Sequence, residues 1–264
     1  MAPERLSTKD NTFLPGYAIH AQRYGFAMQY CGGKRVLDAG CGIGYGSNLL
    51  ARNGAEQVTA VDLSRTALNE AKEMFSHPKV RFLQGDLEKL DEIADLPTEF
   101  DVVVNLENIE HLHEPVAFLE RASRRLRRPD GVFVVSTPNG AITERDEMGA
   151  IDNRFHVKEY TAEEFVALLK PFFSRIELVG QWQTPEAKNR IAAARDVFEQ
   201  LCEAYFNPAA RVGRLVKRVM GKRCAGPPRF AAAGESYGWE YVLSPLERPP
   251  YLWEPMYILA ACRP

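Results

Sequence analysis

No two cysteines in this 264-residue chain stand in a C-x-x-C pair. The five present, at 31, 41, 202, 224 and 262, are scattered. They suggest neither a zinc site nor a disulfide framework, and a reduced cytoplasm is the expected compartment. No apolar run approaches the roughly 18–20 residues that a membrane span needs, so no membrane partner is expected. The opening residues, Met1 to Asp10, lack the apolar stretch of a secretory signal. Neither sign of charge dominates: 33 Lys and Arg against 35 Asp and Glu leave a net charge of −2. With no global field to gather it, nucleic acid is not an expected partner. Internal repeats are absent as well. What remains is ordinary globular composition, 45% hydrophobic and 26% charged, at a length suited to one large domain or one domain with an insertion.

One further absence is the most informative. The segment Val36-Leu-Asp38-Ala-Gly40-Cys-Gly42-Ile-Gly44-Tyr-Gly46 runs from apolar residues through an acid into glycine at every second position. It reads as a buried strand entering a tight turn that lets a ligand approach the backbone. The helical Ser47–Arg52 follows, and strand, glycine turn and helix make a nucleotide-binding arrangement. Yet the dinucleotide fingerprint G-x-G-x-x-G/A is missing. Counted from Gly40 its third glycine falls on Tyr45, and counted from Gly42 on Ser47.

Strand-like and helix-like segments alternate from 35 to 180. Strands are predicted at Arg35–Ala39, Gln57–Asp62, Val80–Gln84, Asp101–Asn105, Gly131–Ser136, Ile176–Val179 and, late, Met256–Cys262. Helices are predicted near Ile19–Tyr30, over Tyr45–Asn53, Arg65–Phe75 and Val116–Leu126, and after Thr161, where Glu164 completes a capping box. Unbroken apolar strands between helices imply a mostly parallel sheet covered on both faces. Ligands in such sheets bind beyond the carboxyl ends of the strands. The second strand ends in Asp62, 18 residues after Gly44 and so near the usual ~20 for an acid that binds a ribose diol. Leu63 follows it, placed to lie against a base. The third strand delivers Asp86 and Leu87.

These residues resemble those of the class I S-adenosylmethionine-dependent methyltransferases, whose first motif is an acid followed by G-x-G-x-G: here Asp38, Gly40, Gly42 and Gly44. Glu107-Asn-Ile-Glu110-His111-Leu-His113-Glu-Pro115 is similar to the E-x-x-E-H-x-x-x-P segment of the ubiquinone-biosynthesis O-methyltransferase-like group. Ser136-Thr-Pro138-Asn139, Arg154–Thr161 and the arm residues His20, Arg23 and Tyr24 resemble other segments of that group. The resemblance covers about residues 20–180. It implies a Rossmann-like α/β fold with seven strands, the last antiparallel. It implies S-adenosylmethionine as cofactor, held by Tyr24, Asp38, Gly40, Cys41, Gly42, Gly44, Asp62, Leu63, Asp86, Leu87, Leu106 and Glu107.

Methyl transfer needs an aligned nucleophile, exclusion of water and, for an oxygen or nitrogen acceptor, a base. His111 is the first candidate base and His156 the second. Glu107, Glu110, His111 and His156 also suit a hard or borderline divalent ion, a pattern that the small-RNA 3′-end ribose methyltransferases resemble. A divalent metal is therefore conceivable but not expected. Residues 1–34 are expected to form a helical arm over the cofactor, and 35–180 with 255–264 the core. Residues 181–254 are expected to be a helical, aromatic insertion that caps the acceptor, with helices at 185–204 and 211–223; the second of these carries a basic face suited to an anionic or carrier-bound acceptor. The function expected is methyl transfer to an oxygen or nitrogen of a small metabolite, a glycan precursor or natural-product intermediate, by an enzyme that could be a homo-oligomer. The alternatives are a metal-assisted RNA 2′-O-methyltransferase and a non-catalytic adenosylmethionine-binding protein.

Overall fold

A computed structural model describes residues 13–143, 153, 155–183, 241–246 and 255–264. The chain divides into two units, 1–182 with 242–264, and 183–241. Of the second unit only the ends, Gln183 and Tyr241, are among the described residues, so the predicted helices at 185–204 and 211–223 and most of the aromatic tail lie outside them.

The first unit is built on one sheet in the order β3-β2-β1-β4-β5-β8-β6-β7. The strands are β1 Arg35–Ala39, β2 Gln57–Asp62, β3 Val80–Gln84, β4 Val102–Leu106, β5 Val132–Pro138, β6 Arg175–Gln183, β7 Tyr241–Pro245 and β8 Tyr257–Arg263. Strands β1 to β5 pair in parallel with one another, and β8 runs antiparallel between β5 and β6. The seven predicted strands are all present, the late one being β8. The eighth, β7, is an addition beyond β6 that the sequence did not announce.

Helices α1 Phe13–Met28, α2 Tyr45–Arg52, α3 Arg65–Met74, α4 Pro115–Arg124 and α5 Ala162–Leu169 complete the unit. Side chains of a strand alternate between faces, which is why the continuous valine runs are needed on both. Val102, Val104, Val132, Val134, Leu259 and Ala261 turn to the α1–α3 side, where they meet Tyr24, Phe26, Ala27, Leu50 and Ala67. Val103, Phe133, Val135, Ile258 and Ala260 turn to the other side, against Phe118 and Leu119 of α4 and Phe165 and Leu169 of α5. Phe133 stacks on Phe173 with centroids 5.1 Å apart. Burial of each such side chain stabilises by about 1.5–3 kcal/mol.

Local rules set the element ends. Ser64 caps α3 by accepting from the Ala67 N–H, and Thr161 and Glu164 form the expected capping box on α5. Gly44 stands at the N-cap of α2 with φ 79°, left-handed backbone that favours glycine. The carboxyl ends of β1, β2, β4 and β5 therefore open on one edge, where the glycine turn and the Glu107–His111 segment meet.

Candidate functional site

A cavity of about 740 Å³ opens at that edge, within the usual range for a small-molecule site. One end of its wall is Gly40, Cys41, Gly42 and Ile43 with Asp62. The other is Glu107, Asn108, Glu110 and His111 with Asn153, Phe155, His156 and Glu159. His20, Tyr24 and Tyr45 lie between, and Leu106, Pro138, Met256 and Tyr257 complete it.

The glycine end is made of backbone. The Gly40 and Cys41 N–H groups both donate to the Val61 carbonyl, tying the turn to β2. A Cβ on Gly40 would meet the Asn108 side chain at 2.7 Å, whereas one on Gly42 would meet nothing. Asp62, buried at the end of β2, accepts from the Gly42 N–H at 2.9 Å and the Ser64 N–H at 2.8 Å. Two backbone donors thus aim one carboxylate along the cavity wall.

Asp38 is set one layer back, off the cavity wall. Its carboxylate accepts from Ser47 Oγ at 2.6 Å and from the Tyr24 hydroxyl at 3.2 and 3.3 Å. Burial pushes its pKa up to about 6 against the pull of those two donors. Tyr24 reaches it because the fourth glycine leaves room: a Cβ on Gly46 would fall 1.9 Å from the Tyr24 ring. Gly46 therefore seats an arm side chain, while Gly40 and Gly42 face the ligand space. Burial, then the Arg23 charge, holds His20 well below the usual imidazole range.

The other end is made of side chains. Glu107 follows β4 with φ 51°, left-handed backbone that costs a non-glycine residue about 1–3 kcal/mol. Its carboxylate accepts from Ser136 Oγ at 2.6 Å and faces the Arg23 guanidinium at 3.7 Å. Arg23 is fully buried, donates to Gln181 Oε1 at 2.9 Å and covers the Tyr257 ring at 4.1 Å. Glu110, in the 3-10 turn Ile109–His111, is buried, and neither carboxyl oxygen meets a hydrogen-bond donor in good geometry among the described residues. Burial first, then the charge of Glu107, raises its pKa well above the carboxylate range.

Two imidazoles complete this end, their rings edge to face at 4.9 Å. His111 Nδ1 lies 2.9 Å from the Phe155 carbonyl. A carbonyl only accepts, so Nδ1 carries the proton and the lone pair sits on Nε2. His156 bonds the Glu159 carboxylate through Nδ1 and receives Asn153 Nδ2 at 3.1 Å on Nε2. Glu110, His111 and His156 each bring a ligand atom within 4.8 Å of the others.

The structure thus brings Tyr24, Gly40, Cys41, Gly42, Asp62, Leu106, Glu107, His111 and His156 onto one cavity wall. Asp38, Gly44, Leu63, Asp86 and Leu87 are not on it. Gly44 packs against Phe82 and Ala71, and Leu87 belongs to the core. Asp86 caps the 3-10 turn Leu87–Glu92 through the Glu88 N–H at 2.9 Å. Leu63 stands 62% exposed beside Asp62. Asn108 and Asn153 went without a role in sequence, as did Glu159, although it belongs to the Arg154–Thr161 segment that resembles the family. Only Glu159 carried a signal, by following His156 at one helical spacing.

The glycine turn and the acid ending β2 fall within the match to a family profile described as "Methyltransferase domain", which spans residues 37–135. Over this stretch the chain is similar to S-adenosylmethionine-dependent methyltransferases. A Mycobacterium tuberculosis protein named "Probable S-adenosylmethionine-dependent methyltransferase" is 40% identical over 142 residues, 53% of this chain and 48% of that protein. The ubiquinone biosynthesis O-methyltransferase of Neisseria meningitidis serogroup A is 36% identical over 108 residues, 40% of this chain and 45% of that one. The chain thus spans about half the length of these curated relatives. A crystallised S-adenosylmethionine-dependent methyltransferase from Mesorhizobium loti shares the fold, with a TM-score of 0.56 at 18% identity over 93% of this chain and all of that one. S-adenosylmethionine is the cofactor that this similarity implies, and the donor set suits it: Asp62 offers a carboxylate fixed for a diol, and the turn at Gly42 presents backbone with room beside it.

Proposed function

We propose that the protein transfers a methyl group from S-adenosylmethionine to an oxygen or nitrogen of a small metabolite, a glycan precursor or natural-product intermediate, free or carrier-bound. One observation carries this reading: the cavity that holds the glycine turn and Asp62 also holds the imidazoles of His111 and His156. When bound, adenosylmethionine supplies a methyl group already activated on a sulfonium. Gly40, Gly42 and Asp62 hold it, Tyr24 closes over the turn from α1, and the His111–His156 end receives the acceptor. There the acceptor's proton passes to an imidazole Nε2, which adds a typical 10²–10⁴-fold to the rate. Burying the acceptor at this end excludes water from the attack. Calorimetry tests the donor half: adenosylmethionine binds and NAD does not, and the reverse result overturns the assignment. Release of S-adenosylhomocysteine with a panel of sugar, phenol and amine acceptors tests the other half. His111→Ala and His156→Ala are expected to keep donor binding and lose turnover.

A second reading rests on Glu110. Its buried carboxyl, with His111 and His156, offers a divalent ion three ligand atoms within 4.8 Å of one another. Such an ion would orient an acceptor hydroxyl and ease loss of its proton. The metal content of purified protein, before and after dialysis against EDTA, decides this together with activity. Full turnover by metal-free protein removes the second reading, and turnover restored only by added Mg²⁺, Mn²⁺ or Zn²⁺ establishes it.

A further inference from the structure

Three hydrogen bonds through His156 run in one direction, and a fourth closes on the group where they end. The Phe155 N–H donates to Asn153 Oδ1 at 3.0 Å, which fixes which end of that amide is oxygen. The opposite end, Nδ2, can only donate, and it stands 3.1 Å from His156 Nε2. Nε2 must therefore accept, so the ring proton sits on Nδ1. Nδ1 in turn meets Oε1 of Glu159, whose carboxylate is buried. The other oxygen, Oε2, accepts from the Thr143 hydroxyl. Each group is held by the one before it, and the order starts from a backbone N–H that cannot reverse.

We infer that Glu159 is a positioning residue: with Asn153 it locks His156 as the Nδ1–H tautomer and keeps Nε2 as the accepting atom at the cavity wall. Asn153 Nδ2 occupies the position that a donating acceptor group would take, and both residues line the cavity. His111 presents the same tautomer by a different device, a backbone carbonyl. The two imidazoles thus differ in support. His156 is backed by a carboxylate, while His111 is backed by a neutral dipole. Where such a carboxylate backs a metal-ligating imidazole, its loss costs about 10–100-fold in metal affinity or activity. The lock serves His156 equally as a proton acceptor or as a ligand through Nε2. It rests on the methyltransferase reading only for its kinetic consequence.

The test uses full-length protein carrying ¹⁵N-labelled imidazoles, with the His156 signals assigned by their loss in His156→Gln. Wild type is expected to show the proton on Nδ1. Removing both holds, in Asn153→Ala with Glu159→Ala, is expected to spread the proton over both nitrogens, and Asn153→Ala with Glu159→Gln, whose amide oxygen still accepts from Nδ1, to restore the wild-type pattern. In turnover assays Glu159→Ala should lower kcat about 10–100-fold at unchanged adenosylmethionine affinity, with Glu159→Gln recovering most of the loss. A wild-type proton on Nε2 overturns the inference, as does a wild-type spectrum in Asn153→Ala with Glu159→Ala. Should that pair fail to fold, the wild-type spectrum and that of Asn153→Ala with Glu159→Gln decide alone. Protein that shows the Nδ1–H tautomer but binds no adenosylmethionine would sink the proposed function and leave the lock standing.

Discussion

The two ends of the cavity are built to opposite rules. At the glycine end every acidic oxygen described has a donor: Asp62 takes two backbone N–H groups, and Asp38 takes two hydroxyls. At the histidine end the polar groups lean on side chains instead. Glu110 is buried with neither carboxyl oxygen meeting a donor in good geometry among the described residues, Arg23 Nη2 faces Glu107 at 3.7 Å, and Glu107 sits on left-handed backbone. The glycine end is thus ordered by backbone donors, and the histidine end by a cluster of charged and imidazole side chains.

Four substitutions separate these ends, beginning with the largest effect. Arg23→Ala removes a buried cation facing Glu107 and should cost about 3–5 kcal/mol, read as a lower urea midpoint. Pairing it with Glu107→Gln should recover part of that cost; no recovery would mean that Arg23 acts by packing on Tyr257 alone. Asp38→Asn comes next. Its folded pKa of about 6 lies above the ordinary 3.8, so the native state holds the proton more tightly than the unfolded chain. The stabilisation from Asp38 is full below about pH 4 and is lost as pH rises through about 6. Across that window wild type should lose ~3 kcal/mol relative to Asp38→Asn, at about 1.4 kcal/mol per pKa unit. A constant difference would show Asp38 to be no more than a hydrogen-bond acceptor. Asp62→Ala should weaken adenosylmethionine about tenfold to a hundredfold by calorimetry, the loss of charge-assisted bonds worth about 1.5–3 kcal/mol. Unchanged affinity would place the ribose elsewhere. Tyr24→Phe is the mildest, at about 1 kcal/mol of stability from the lost hydroxyl bond to Asp38.

The same division governs what could be read from the residues alone. The glycine end was legible because it is local: a strand, its terminal acid and a turn carry their own period and spacing, so Asp62, Gly40 and Gly42 were placed correctly on the cavity wall. The role of Gly46 was not, because its reason is a ring arriving from α1. At the histidine end the side chains were named, but their partners were not. Asn153 and Glu159 matter only through contacts across the loop that carries His156. Arg23 had been assigned to the arm, yet nothing in one arginine announces complete burial, since arginine is ordinarily exposed. All seven predicted strands formed, while Tyr241–Pro245 escaped notice: five residues ending in proline are too short to show a period of two. Asp86 fits both a strand-end acid and a turn cap, and the structure uses it as the cap.

The position of β8 has a consequence for how the protein is made. Residues 257–263 fill the slot between β5 and β6, so the sheet has an open gap until they arrive. During synthesis β1 to β5 can pair as they leave the ribosome, but β6 can join them only through β8, which begins more than seventy residues after β6 ends. Until then the facing edges of β5 and β6 stand unpaired, and an unpaired edge invites pairing with another chain.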